Sequence, residues 1–150
     1  MSGNAGTTGG KPRVVVLGGG FAGIGATRAL KDADVDVVLV DRHDYHTFQP
    51  LLYQLATGLL ETTAVGHSLR DLVKDQGNAT IHKAAITEID LAVKEIRFEG
   101  LAPVTYDFLV LALGAQVTFF GTEGAAEHAF PMYTLADAVR LKNHVLERWE

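Results

Sequence analysis

Cysteine is absent from the 150-residue sequence. This absence excludes disulfides, thiolate metal sites, a cysteine nucleophile and a dithiol redox motif within the chain. Basic residues are not in excess either, since 13 Lys and Arg stand against 18 Asp and Glu and the formal net charge is -5. A nucleic-acid surface or a polybasic membrane patch needs the opposite balance, so we expect no nucleic-acid partner.

Long apolar runs are missing as well. The longest, over residues 50–55 and 108–115, fall well short of the ~20 residues that cross a bilayer, so we expect no transmembrane segment in this chain. The initial MSGNAGTTGGKPR lacks the apolar core of a signal peptide, and we expect a flexible tail over residues 1–12. With 47% hydrophobic residues, the sequence has enough apolar material for one compact domain or part of one.

Strand and helix patterns alternate at the start of the chain. Residues 14–17 (VVVL) and 35–40 (VDVVLV) form apolar runs that are typical of parallel strands buried on both faces. Between them, small apolar residues at helical spacing predict a helix that packs on a sheet through the face formed by Ala22, Ala26, Ala29, Leu30 and Ala33. These patterns predict a β-α-β unit that ends at Asp41.

The later segments predict further elements around this unit. Residues 42–63 have no clean period and predict a loop with a short helical turn, and residues 66–76 predict a helix. Three extended segments, 80–90, 93–98 and 104–106, predict an antiparallel meander, and 108–113 predicts another buried strand. A capping pair, Thr134 and Asp137, begins a helix over 134–149 with Leu135, Ala138, Val139, Val145, Leu146 and Trp149 on one side. The sequence therefore predicts an α/β fold.

Glycines at positions 18, 20 and 23 form a Gly-x-Gly-x-x-Gly loop between the first strand and the first helix. In such a loop Gly18 makes the tight turn, Gly20 lets a pyrophosphate approach the backbone, and Gly23 lets the helix close on the sheet. Asp41 ends the second strand where a carboxylate accepts hydrogen bonds from ribose hydroxyls. The pattern predicts a dinucleotide site and disfavours NADP, although Arg42 keeps that option open. The loop alone does not separate FAD from NAD.

Two longer motifs carry a resemblance to a known family. The segment FQPLLYQ begins at Phe48, and YDFLVLALGA begins at Tyr106, followed by Phe120 and Gly121. Together with the loop GGGFAG, these motifs resemble the N-terminal part of the type II, non-proton-pumping NADH:quinone oxidoreductases, from about Pro12 to the end of the chain. The expected fold is a Rossmann-like FAD-binding domain with a parallel sheet and an antiparallel meander, incomplete at its C-terminal end.

The resemblance implies FAD as the cofactor and NADH as the substrate of a longer parent enzyme that passes electrons to a quinone. It implies that residues 13–121 are the first part of the FAD-binding domain and that 122–150 are a linker and opening helix towards an absent NADH-binding domain. The implied cofactor-binding residues are Gly18, Gly20, Phe21, Ala22, Gly23, Asp41, Arg42, Gln49, Pro50, Leu51, Ala85, Ile86, Ala112 and Gly114. Glu150 matches a family glutamate near flavin and nicotinamide, and is the candidate catalytic residue.

Location and assembly follow from the resemblance only. It implies a peripheral protein on the cytoplasmic side of the cell membrane, with a homodimer as a possible assembly. NADH and quinone would bind mostly through parts absent from this chain, and the chain alone would be inactive.

Several features depart from the family pattern or leave alternatives open. Leu113 replaces a threonine of the family strand motif, and Thr27 stands where alanine or glycine is usual. Another FAD- or NAD(P)-dependent oxidoreductase, or a non-catalytic nucleotide-binding module, remains as an alternative. His43 and His46 lack a third assured ligand and are interpreted as solvated loop histidines, so we assign no metal site.

Overall fold

The computed structural model describes residues 10–149. Its strands are β1 (Arg13–Leu17), β2 (Asp36–Asp41), β3 (Tyr45–Thr47), β4 (Gly66–Ser68), β5 (Ala79–Lys83), β6 (Ile86–Asp90), β7 (Glu95–Phe98), β8 (Val104–Thr105) and β9 (Phe108–Leu111). Its helices are α1 (Phe21–Ala29), α2 (Leu52–Ala56), α3 (Thr62–Val65), α4 (Leu69–Leu72), α5 (Ala125–His128) and α6 (Leu135–Trp149), with a 3-10 turn at Gln49–Leu51 before α2. The chain forms two compact units, one of residues 10–44 and 69–113 and one of 45–68 and 114–149. The predicted boundary at residue 121, between the first part of the FAD-binding domain and the linker that follows, stays a prediction.

The first unit is built on a four-stranded parallel sheet in the order β5-β2-β1-β9. Alternate residues of β1 face opposite sides, and both sides are covered: Val15 and Leu17 lie in one buried cluster with Ile96 and Phe98 of the meander. Val14 and Val16 lie in a second cluster with Ile24 of α1. This two-sided burial explains the continuous apolar run of β1 and confirms the predicted α/β class with its parallel sheet.

The meander is shorter than predicted at its start. Residues 80–90 were expected to form one extended segment, but the structure divides it into β5, which pairs with β2 in the parallel sheet, and β6, which pairs with β7. The Ala84 amide donates to the Asp41 carbonyl at 2.9 Å, at the point where the chain leaves the sheet. The antiparallel meander consists of β6, β7 and β8.

The predicted buried face of the first helix is only partly confirmed, since Ala26 and Leu30 are partly buried and Leu30 packs against the core. The buried residues of α1 are Gly23, Ile24 and Thr27, whereas Ala22 and Ala29 are exposed. The helix also ends at Ala29, before the predicted Ala33. On the buried side, a Cβ on Gly23 would lie 1.8 Å from the Gly18 carbonyl oxygen, so this side of the helix packs against the glycine loop.

The side-chain amides of Gln76 and Asn78 donate hydrogen bonds to the end of α1 and to the connection that follows it. Asn78 Nδ2 donates to the carbonyls of Leu30, Ala33 and Val35 at 2.9, 3.1 and 3.1 Å. Gln76 Nε2 donates to the buried Thr27 carbonyl at 2.8 Å. Carbonyls at the end of α1 and in the connection after it therefore accept hydrogen bonds from side chains more than forty residues later in the chain, in addition to those from backbone amides.

Strand β9 lies at the edge of the parallel sheet. It pairs with β1, and within residues 10–149 no strand pairs along its other edge. Phe108 and Leu111 are each 60% exposed. The prediction of a strand is confirmed, but the prediction that it is buried is wrong.

The second unit contains the segment that was predicted as a loop. Within it, β3 pairs antiparallel with β4, so the predicted helix over 66–76 is wrong at its start, where a strand replaces it. His46 was interpreted as a solvated loop histidine; it lies in β3 and is 7% exposed, which corrects that interpretation. A core of Leu52, Leu55, Ala56, Val65 and Ala138 joins α2, α3 and α6.

Helix α6 begins with the predicted capping pair. The Asp137 amide donates to Thr134 Oγ1 at 3.1 Å, and the Thr134 amide donates to Asp137 Oδ2 at 2.9 Å. The first half of α6 packs in the core through Ala138, whereas Val145, Leu146 and Trp149 are 47%, 56% and 87% exposed. The predicted apolar face of this helix is therefore buried only in its first half. Among the described residues, no helix is long and apolar enough to span a membrane.

Candidate functional site

The glycine loop joins β1 to α1 at the carboxyl end of the parallel sheet. Gly18 has a φ of +107°, and a Cβ on it would lie 2.2 Å from the Ala112 carbonyl oxygen. Its amide donates to the Val40 carbonyl at 2.8 Å. Only glycine fits this position, because both the backbone conformation and the neighbouring strand exclude a side chain. This geometry agrees with the tight-turn role predicted for Gly18.

The next two motif glycines differ in what surrounds them. A Cβ on Gly23 would lie 1.8 Å from the Gly18 carbonyl oxygen, so the first turn of α1 packs directly against the loop. A Cβ on Gly20 would meet nothing within 4 Å, and the residue has ordinary extended dihedrals, φ -78° and ψ -170°. Neither packing nor conformation within the described chain therefore requires glycine at position 20.

The start of α1 is suited to an anion. The first N–H groups of an α-helix have no acceptor within the helix, and the helix dipole adds partial positive charge there. The first turn contains no acidic side chain, and the Gly20 carbonyl accepts the Ile24 amide at 3.0 Å. Phe21, which is 51% exposed, and the exposed Ala22 occupy this turn. The open side of Gly20 thus adjoins a helix N-terminus that favours a phosphate.

Asp41 is held at the end of β2 by two backbone amides. The Gly19 amide donates to Asp41 Oδ2 at 2.6 Å, and the His43 amide donates to Asp41 Oδ1 at 2.7 Å. One carboxylate therefore links the glycine loop to the end of the neighbouring strand. The His43 ring lies on the same side, with Nδ1 3.7 Å from Asp41 Oδ1, and a carboxylate oxygen that accepts one amide has a second lone pair for a ribose hydroxyl.

Gly19 was missed by the sequence analysis because its role depends on long-range packing. Its amide contacts Asp41, and a Cβ on it would lie 2.8 Å from the two terminal methyl groups of Leu69, which is fully buried. A pattern of glycine spacing does not reveal a leucine fifty residues away.

Two of the implied cofactor-binding residues, Ala85 and Ile86, follow a hydrogen bond between Ala84 and Asp41. The Ala84 amide donates to the Asp41 carbonyl, Ala85 follows in the connection between β5 and β6, and Ile86 is the first residue of β6. The Ala85 carbonyl accepts the Glu99 amide at 2.9 Å. Arg42 is exposed next to Asp41. The first unit thus brings together the predicted residues Gly18, Gly20, Phe21, Ala22, Gly23, Asp41, Arg42, Ala85, Ile86 and Ala112.

One exposed ion pair lies close to this end of the sheet. Lys83 Nζ lies 3.3 Å from Asp44 Oδ2. The hydrogen bond from Lys83 holds the pKa of Asp44 below its ordinary value. Because both side chains are exposed, the pair contributes little to stability.

The remaining predicted residues belong to the second unit, where Tyr133 connects them. Gln49 Nε2 donates to the Tyr133 carbonyl at 3.2 Å, and the Ala115 amide donates to the Tyr133 hydroxyl at 3.2 Å. Gly114, with a φ of +72°, lies next to the same hydroxyl, which is 3.5 Å from the position of its missing Cβ. Pro50 is exposed and Leu51 is partly buried. No sequence signal pointed to Tyr133.

Glu150, the candidate catalytic residue, lies outside the described residues. Its role stays a prediction.

Comparison with known proteins gives a family match over nearly the whole chain. The family described as pyridine nucleotide-disulphide oxidoreductase matches residues 12–149. The type II NADH:quinone oxidoreductase NdhA of Mycobacterium tuberculosis is 38% identical over 152 residues, which cover 99% of this chain and 32% of that protein. The type II NADH:quinone oxidoreductase Ndh of the same organism is 38% identical over 141 residues, covering 92% of this chain and 30% of that protein. This chain spans about a third of the length of these relatives.

Solved structures share the same architecture. NDH2 from Plasmodium falciparum in complex with NADH superposes with a TM-score of 0.82 at 24% identity, covering 93% of this chain and 30% of that one. The sulfide:quinone oxidoreductase from Aquifex aeolicus superposes with a TM-score of 0.80 at 25% identity, covering 92% of this chain and 32% of that one. At 24% identity, the likeness to NDH2 from Plasmodium falciparum is one of fold alone.

Proposed function

Because the chain belongs to the pyridine nucleotide-disulphide oxidoreductase family, we propose that its glycine loop binds the pyrophosphate of FAD in a flavoenzyme that oxidises NADH. We further propose that a quinone accepts the electrons. The proposal concerns the longer protein, since the chain spans 32% and 30% of the two mycobacterial relatives that carry this activity in their names.

The open space at Gly20 is the observation that carries the proposal. Gly18 and Gly23 are required by the packing of the chain itself, but a Cβ on Gly20 meets nothing within 4 Å. A glycine that neither packing nor backbone conformation requires is explained by a ligand that approaches its backbone. The adjoining helix N-terminus suits the negative charge of a pyrophosphate.

The residues of the first unit fit FAD in chemistry as well as in position. The amides at the start of α1 would donate to the pyrophosphate, and Asp41 would accept hydrogen bonds from the adenosine ribose. Ala85 and Ile86, which follow the Ala84–Asp41 hydrogen bond, would lie on the adenine side. Ala112, whose carbonyl lies against Gly18, would pass close to the cofactor.

The residues of the second unit are proposed for the flavin end. Gln49, Pro50, Leu51 and Gly114 would serve there, with Glu150 as the candidate near flavin and nicotinamide. When bound, FAD supplies two-electron chemistry, taking hydride from NADH and passing electrons to a quinone. The chain's own contribution is to bind and orient the cofactor.

Location and assembly belong to the same proposal. A quinone substrate is dissolved in a membrane, so we infer that the longer protein lies peripherally at a membrane surface, on the cytoplasmic side by family resemblance. A homodimer is part of this proposal as its expected assembly.

A spectrum of the purified 150-residue chain tests the proposal. The chain is incubated with FAD, desalted and scanned, and a parallel sample is incubated with NADH and titrated by fluorescence. We expect a flavin band that survives desalting and little or no NADH oxidation with a soluble quinone, because the chain spans only 32% and 30% of the two mycobacterial relatives. Tight NADH binding without FAD binding would instead assign the loop to NAD, and rapid NADH oxidation would show that the chain needs no second domain.

A further inference from the structure

Leu69 connects the glycine loop to the segment that follows β2. Its two terminal methyl groups lie 2.8 Å from the position that a Cβ on Gly19 would take, and the residue is 0% exposed. The Leu69 amide donates to the Asp44 carbonyl at 2.9 Å. Leu69 therefore contacts the loop with its side chain and the segment after β2 with its backbone.

These contacts form a closed ring with Asp41. The Gly19 amide donates to Asp41 Oδ2 at 2.6 Å, and Asp44 follows Asp41 by three residues. The ring thus passes from Leu69 to Gly19, then to Asp41, along the chain to Asp44, and back to Leu69. All four residues belong to the first unit. The direction of the Asp41 carboxylate depends in this ring on where Leu69 holds Gly19.

We propose that Leu69 is a positioning residue that sets the Asp41 carboxylate for the adenosine ribose of FAD. Its methyl groups lie against Gly19, and a close-packed core resists displacement, so the Gly19 amide stays directed at Asp41 Oδ2. The carboxylate held in this way would accept the ribose hydroxyls. The inference rests on the proposed function, because it concerns the FAD site of the same loop.

The contact with Gly19 distinguishes Leu69 from its neighbours in the core. The three atoms nearest to a Cβ on Gly19 all belong to the Leu69 side chain. Leu72 ends the same short helix, α4, and packs, partly buried, against the hydrophobic cluster that contains Leu69. The two leucines therefore share a helix and a core, and Leu72 offers a comparison in which only packing is changed.

Leu69→Val tests the inference, since valine is shorter but still apolar and leaves the amide bond to Asp44 in place. The Kd of the whole 150-residue chain for FAD is measured by equilibrium dialysis, and circular dichroism verifies that the variant is folded. We expect the Kd to rise about tenfold, the effect of losing one hydrogen bond to a charged group. Leu69→Met, whose side chain is long enough to reach Gly19, should keep the wild-type Kd.

Leu72→Val is the matched control. We expect both valine variants to lower the melting temperature, because each shortens a side chain in the same cluster. Only Leu69→Val should also raise the Kd of the folded chain for FAD. A residue with no role beyond packing would change stability and leave this Kd at its wild-type value.

Combining the change with Asp41→Ala shows whether Leu69 acts through Asp41. We expect Leu69→Val to raise the Kd about tenfold in the wild-type chain but by less than about twofold in Asp41→Ala, where no carboxylate is left to position. The comparison of Leu69→Val with Leu72→Val stands by itself where the double variant does not fold.

Three outcomes would overturn this inference alone while the wild-type chain still binds FAD. Leu69→Val could keep the wild-type Kd, or Leu72→Val could raise the Kd as much as Leu69→Val does. Leu69→Val could also raise the Kd by the same factor with and without Asp41. Failure of the wild-type chain to bind FAD would instead overturn the proposed function, and this inference with it.

Discussion

Replacing Gly20 by valine separates ligand binding from folding at a single position. The residue has φ -78° and ψ -170°, an extended conformation that valine adopts readily, and nothing lies within 4 Å of a Cβ placed on it. Because Gly20 is also the N-cap of α1 and valine is a poorer cap than glycine, we expect the free energy of unfolding of Gly20→Val to fall by no more than about 1 kcal/mol. The valine methyl groups would occupy the space through which a pyrophosphate approaches the start of α1.

The expected effect on FAD binding is much larger. Displacing the pyrophosphate from two amides of the first turn removes two hydrogen bonds to a charged group, each contributing about 1.5–3 kcal/mol. Their combined loss raises the Kd for FAD about 10²- to 10⁴-fold. Equilibrium dialysis with FAD gives the Kd, and urea unfolding of the same preparations gives the stability.

Gly25→Ala is the matched control for this experiment. Gly25 is exposed within α1, and a Cβ on it also meets nothing within 4 Å. We expect it to raise stability by up to about 1 kcal/mol through helix propensity and to leave the Kd unchanged. A wild-type Kd in Gly20→Val would refute the assignment of the loop to the pyrophosphate. A loss of more than about 1 kcal/mol in its stability would refute the open geometry at Gly20.

Three further perturbations test the surrounding structure. Gly23→Ala puts a Cβ 1.8 Å from the Gly18 carbonyl oxygen, so we expect the free energy of unfolding, measured with urea, to fall by about 3 kcal/mol. A decrease of less than about 1 kcal/mol would contradict that contact. Asp41→Asn leaves one oxygen for two backbone amides, so we expect about 1–3 kcal/mol lower stability and weaker FAD binding by dialysis. Burial raises the pKa of Asp137, but hydrogen bonds from Thr134 outweigh it and leave the pKa below 3.8. The stabilisation from Asp137 is therefore present above its ordinary pKa and lost as the pH falls through the lower folded value. Melting curves against pH should show this slope, and the slope should be smaller in Asp137→Asn.

The glycine loop and its two flanking strands were predictable because their signals are local. Val14 to Leu17 are apolar in sequence order, the glycines follow directly, and Asp41 ends the next apolar run. Each of these features depends on neighbours within a few residues. The position of Asp41 against the Gly19 amide follows from the parallel pairing of β1 and β2, which the β-α-β pattern implies.

The failures share a dependence on distant partners. The buried face of α1 includes Thr27, whose carbonyl accepts a hydrogen bond from Gln76, about fifty residues later in the chain. The pairing of His46 with His67 joins strands separated by two helices, and three-residue strands carry too short a pattern to identify. The roles of Asn78 at the end of α1 and of Tyr133 beside Gly114 also come from side chains far along the chain.

Within residues 10–149, β9 has one edge without a partner strand, and this edge has a consequence for the behaviour of the chain in concentrated solution. Its sequence FLVL contains neither charge nor proline, and its first and last residues, Phe108 and Leu111, are each 60% exposed. Such an edge is a template for intermolecular strand addition, which grows with protein concentration. Light scattering over a dilution series should therefore precede any titration of this chain. A lysine at Leu111 should suppress the association, because a charged side chain on an edge strand opposes stacking.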